Sequence, residues 1–188
     1  MAAGIRYSFE LNEEMLKNVA DAYPVGALVK EFSSAVEKGG PEANEIEILN
    51  NYGKHLGLKA LELGEEYGDR TYEILKEANE KTGGAYVFSL YPQRFLEIAY
   101  LSTYHLHTFD VLVNNRQELK YRIKSCPVYD GIASNLGVSA AGRMQCSSMC
   151  RALAEEIVSH FGVKALFEQQ STMASGGQCL FSIKKINV

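Results

Sequence analysis

The residues best equipped for chemistry are four cysteines and one histidine pair. Cys146 and Cys150 stand four apart in "RMQCSSMCRAL", Cys126 precedes a proline in "KSCPVYDG", and Cys179 sits in "SGGQCLFSI". His105 and His107 alternate in "YHLHTF". A thiolate is a nucleophile and a soft-metal ligand, and imidazole moves protons or binds a metal. Buried cysteines are also ordinary small core residues, so packing, metal ligation and a reactive thiol all stay open. As a ligand set, Cys126, Cys146, Cys150 and Cys179 would hold zinc or iron. Their long spacings lack the run of a ferredoxin-type iron–sulfur cluster. As a reacting set, Cys126 is the nucleophile, at a strand-to-helix corner where a helix N-terminus lowers a thiol pKa. His105 or His107 would then shuttle protons.

The elements that must position these groups change character near residue 85. Residues 1–84 carry helical signals. "LNEEMLKNVADAY" and "VGALVKEFSSAVEKGG" read as short helices, the second ended by Gly39-Gly40. From Pro41 a long stripe runs through Ile46, Leu49, Tyr52, Leu56, Ala60, Leu63 and Tyr67. Beside it lie Gly53, Gly57, Gly64 and Gly68, which read either as close helix packing or as room left for a ligand. A further helix runs through Tyr72, Leu75 and Ala78.

Residues 85–188 read as hairpin, helices, hairpin. After a short strand "AYVFSLY", "YHLHTFDVLV" and "ELKYRIKS" flank the turn "NNRQ". His105 and His107 share a face with Phe109, Val111 and Val113. Leu119, Tyr121 and Ile123 alternate with Lys120, Arg122 and Lys124, as in a half-solvated strand. Pro127 opens a short helix, and "AGRMQCSSMCRALAEEIVSHFG" reads as one strong helix. On it Cys146 and Cys150 share a side with Leu153 and Ile157. "VKALFEQQSTM" and "QCLFSIKKI" are strands joined by "ASGG", with Cys179, Phe181 and Ile183 facing inward and Ser182 and Lys184 facing away. Of the acids on strands, Glu168 and Asp110 are the two singled out for a buried role. The order predicts a single α+β domain over 1–188, an antiparallel sheet of two hairpins packed against helices.

Composition narrows the function classes. A hydrophobic fraction of 46% and a charged fraction of 22% belong to an ordinary globular protein. A net charge of −4 gives no electrostatic case for nucleic acid. No apolar run reaches the roughly 20 residues of a membrane span, and the N-terminus lacks the h-region of a secretory signal. The expectation is a cytoplasmic protein whose thiols stay reduced, with disulfides the last of the readings. Without a G-x-G-x-x-G, Walker or G-x-S-x-G motif, no nucleotide cofactor is expected.

The second half resembles a known family. The residues that carry the likeness are "SCPVYDGIASNLG", the C-x3-C pair, Glu168 on a strand, and G-x-C-x-F-x-I in "GGQCLFSI". Together they resemble the L-2-amino-thiazoline-4-carboxylic acid hydrolase family and the wider 4-vinyl-reductase group of small-molecule-binding domains. The likeness spans about residues 90 to 188. Where the family carries a Gly-Asp-Asp type turn this chain has "ASGGQ", and its polar strand motif is replaced by "EQQST". The resemblance implies an α+β domain with a ligand cavity between sheet and helices, commonly a homodimer. Three functions compete: a hydrolase of a small C–N or C–S heterocycle, a sensor that binds a small molecule, and an assembly protein that dimerises through its helices.

Overall fold

The structure, a computed structural model, describes residues 5–6, 17–18, 21, 24–39, 42–66, 81, 109–115, 117–160, 162 and 164–186. The strand "AYVFSLY", the helix through Tyr72, and both His105 and His107 lie outside the described residues, as does most of "LNEEMLKNVADAY".

The chain is an α+β protein. Its sheet holds β1 (Ile5–Arg6), β2 (Phe109–Asn114), β3 (Glu118–Ile123), β4 (Ala165–Ser171) and β5 (Cys179–Lys185), in the order β1-β2-β3-β5-β4 with every pair antiparallel. Both expected hairpins are present. The "NNRQ" turn is held by Asn115, whose Oδ1 accepts from the Gln117 and Glu118 amides at 2.8 and 2.9 Å. In the second hairpin "ASGG" winds into a short helix, Met173–Gly176, capped by Thr172 and Ser175 in a reciprocal box.

Alternation decides the faces. Leu119, Tyr121 and Ile123 are buried and pair with Ile183, Phe181 and Cys179. Tyr121 stacks on Phe181 with centroids 4.9 Å apart, and Phe167 meets Phe181 at 5.5 Å. The opposite face is charged. Glu118, Lys120, Arg122, Glu168 and Lys184 project there, over a Ser182 that is itself fully buried. Ser182 Oγ donates to Glu118 Oε1 at 2.8 Å, so its burial leaves no lost hydrogen bond.

The described residues also hold the helices α1 (Val25–Glu37), α2 (Glu42–Glu66), α3 (Pro127–Leu136), α4 (Val138–Arg143) and α5 (Ser147–His160). We number the Met173–Gly176 turn α6. The stripe of α2 is buried at Leu49, Leu56 and Ala60. Its glycines decide between the two readings. A Cβ on Gly53 would sit 2.1 Å from the Met149 carbonyl oxygen, and one on Gly57 would sit 2.7 Å from Glu156 Cβ. The glycines let α2 lie directly against α5, so close packing holds at both. Gly68 lies outside the described residues.

One expected helix is two. The stretch from Ala141 to Gly162 breaks at Met144, which is extended at φ −59 and ψ 132. Met144 is buried there, and the chain restarts as α5 at Ser147. The nearest glycine, Gly142, sits two residues earlier inside α4; burying Met144 is what the break achieves.

Candidate functional site

One end of the sheet gathers sulfur. Cys126 lies three residues beyond Ile123, the last residue of β3, and Cys179 opens β5 opposite Ile123. Cys146 precedes the first residue of α5, and Gln169 lies on β4 opposite Phe181. Three of the four thiols, Cys126, Cys146 and Cys179, are close enough to influence one another electrostatically. All four cysteines are described and none forms a disulfide.

Cys150 stands one helical turn beyond Cys146, its amide donating to the Cys146 carbonyl at 3.4 Å. It lines an apolar crevice with Val25, Tyr52, Leu56, Val128, Met149 and Leu153. Cys146 turns to the sheet and Cys150 to the seam among α1, α2 and α3. Among the described residues no three His, Cys, Asp or Glu side chains are arranged to hold a metal ion.

Cys126 also departs from expectation. It caps α3, with the Tyr129 amide donating to Sγ at 3.5 Å and Pro127 following in the first turn. That favours the thiolate. Burial opposes it and wins: Cys126 is 7% exposed, and its pKa is pushed up to about 12, with the Cys179 and Cys146 sulfurs adding to the rise. Cys179, 5% exposed, is pushed up to about 11 by burial and by Cys146, against the Met173 amide and Gln169. Burial raises Cys146 as well, opposed by Gln169. Cys146 is the part-exposed member of the three.

Gln169 is the group that sequence reasoning missed. Its Nε2 is buried and finds no acceptor at hydrogen-bonding geometry, yet it lies near enough to both Cys146 and Cys179 to favour a negative charge on either. The signal was available in the alternation of β4, which puts Gln169 in line with the buried Phe167.

The two acids part company. Asp110 is buried on the charged face, where Arg122 donates to Oδ2 through Nε at 3.0 Å and through its terminal amine, and Lys124 Nζ lies at 2.8 Å. Glu168 is on the same face with its side chain 43% exposed, 3.4 Å from Lys184. Both stand across the sheet from the thiols. No helix among the described residues is long and apolar enough to cross a membrane. Compared with known proteins, the chain matches no family model, no curated protein and no solved structure.

Proposed function

We propose that the thiol-lined end of the sheet acts on a small C–N or C–S heterocycle, as a hydrolase of the aminothiazoline-carboxylate type. The observation that carries this reading is the convergence of Cys126, Cys146 and Cys179 beside a buried amide donor. Ring opening needs a nucleophile and a proton donor. A cluster sulfur adds to the amidine carbon, forming a C–S bond. The ring C–S bond then breaks, its electron pair stays on the departing sulfur, and that sulfur takes a proton. Water releases the acyl-type group from the protein and restores the thiol. His105 or His107 would carry the protons, in a reduced, cytoplasmic setting and in a homodimer.

Binding without turnover is the second reading, favoured by the raised Cys126 and Cys179. Thiols held at about 12 and about 11 are neutral at pH 7 and suit contact with an apolar ligand. A metal held by the thiols with groups outside the described residues belongs to this reading.

Both readings are tested on reduced, anaerobic protein incubated with a panel of 2-aminothiazolines, the ring-opened product being followed by mass spectrometry. The hydrolase reading expects turnover that Cys150→Ser keeps and that serine at the reacting cluster position abolishes. Absent turnover with a ligand-dependent rise in melting temperature would hand the site to the binding reading, and metal analysis of the same sample tests for zinc or iron.

A further inference from the structure

We infer that Cys146, not Cys126, is the reacting sulfur of the cluster, and that the Gln169 amide is the positioning group that steadies its charge. This rests on the reading of the thiol-lined end as a reactive site.

Access separates the three sulfurs first. Cys126 and Cys179 are buried, while Cys146 keeps part of its surface open. Backbone geometry separates them next. Cys146 stands where the chain leaves the Met144 break, and its carbonyl accepts from the Cys150 amide at 3.4 Å, closing the first turn of the 14-residue α5. The positive end of that helix therefore lies at Cys146. Cys126 also caps a helix, but it does so from inside the core, where losing water outweighs the cap.

The third distinction is Gln169. A buried amide donor without an acceptor is rare in a folded protein and calls for a reason. The groups it faces are thiols, which accept hydrogen bonds weakly while protonated. A thiolate is a far better acceptor, so the donor gains its partner only when charge forms on sulfur. Gln169 favours charge on both Cys146 and Cys179, but Cys179 is raised further by the neighbouring Cys146 sulfur. Cys146 is left as the sulfur that combines access, a helix terminus and the amide. The site thus selects a soft, carbon-centred electrophile, such as an amidine carbon, presented to Cys146.

Iodoacetamide tests this without any substrate. The Cys146 sulfur attacks the methylene carbon, a C–S bond forms, the C–I bond breaks, iodide leaves, and the thiol proton passes to buffer. Native full-length protein is alkylated across a pH series and mapped by peptide mass spectrometry. Cys146 is expected to react at least about tenfold faster than Cys126 or Cys179, because it alone of the three keeps part of its surface open to the reagent. Gln169→Met keeps the shape and removes the donor. It is expected to move the midpoint of the Cys146 pH–rate profile upward by about one unit.

First labelling at Cys126 or Cys179 in the unaltered protein would overturn the assignment with no variant needed. An unmoved Cys146 profile in a folded Gln169→Met protein would remove Gln169 from it. The two proposals fail separately. No ring opening with Cys146 still fastest sinks the hydrolase reading alone, and ring opening that survives Cys146→Ser sinks this one alone.

Discussion

Asp110 is 7% exposed on the charged face of the sheet, with Arg122 and Lys124 both on its Oδ2. Burial works against its charge, and the two cations outweigh burial, so its pKa lies below the usual 3.8. A carboxylate with a lowered folded pKa contributes stability above the unfolded value, and loses it as pH falls through the folded one. Asp110→Asn should therefore destabilise the protein at neutral pH. The partners' side chains are 26% and 50% exposed, so screening keeps the loss near about 1–2 kcal/mol, not the larger cost of a fully buried pair. Urea midpoints of the two proteins, compared from pH 7 down to pH 3 and below, should converge in acid. A gap that stayed constant to the acid limit would show that charge has no part in it. The sequence named both Asp110 and Glu168 and could not rank them. What separates them is register: Asp110 lies opposite Arg122, and Glu168 opposite Ser182. The cysteines show the same limit. The position of Cys126 at a corner was legible, but its depth depends on β5 and α5, which lie far along the chain.

The elements themselves were mostly written in local patterns. The alternation of β3, the hairpin turn and the apolar stripe of α2 appear where they were expected. The break at Met144 was not legible, because Arg143, Met144 and Gln145 all tolerate a helix and the choice is made by burial of Met144 against distant elements. The glycines of α2 lie between these cases. Their spacing was visible, whereas the Met149 backbone they admit belongs to a helix almost a hundred residues later. That contact makes a contrast within one residue type. Glycine to alanine gains up to about 1 kcal/mol of helix propensity where space allows. At Gly142, in α4, the nearest atom to a new Cβ is 4.0 Å away, on Ala174. At Gly53 it is a backbone oxygen at 2.1 Å, which cannot rotate aside. Gly53→Ala should force α2 and α5 apart and cost about 1–3 kcal/mol, as overpacking does, while Gly142→Ala should be neutral or stabilising. Chemical unfolding of the two variants decides it. Equal effects at both sites would mean that the α2–α5 approach is not the constraint it is taken to be.

At the scale of the whole molecule, the compositional boundary near residue 85 is not a boundary in the core. One continuous cluster runs from Leu28, Phe32 and Leu49 in the helical half, through Met149, Leu153 and Ile157 of α5, to Tyr121, Phe167 and Phe181 of the sheet. The thiol-lined end hangs on that continuity, because α5 presses one side against α2 and the other toward β4. A shared core predicts shared unfolding. Leu49 is fully buried in α2, and Leu49→Ala should cost about 2–5 kcal/mol. Because the core is common, that loss should lower the melting of the sheet as much as that of the helices. Far-ultraviolet circular dichroism reads the helices, and the near-ultraviolet signal of the aromatic residues reads the packing around Tyr121 and Phe181. The two midpoints should coincide in the unaltered protein and fall together in the variant. Were the helical signal to melt early in Leu49→Ala while the aromatic signal held its midpoint, α2 would be a separate unit resting on the sheet domain. The thiol cluster would then have to be rebuilt from β3, α3, α5 and β5 alone.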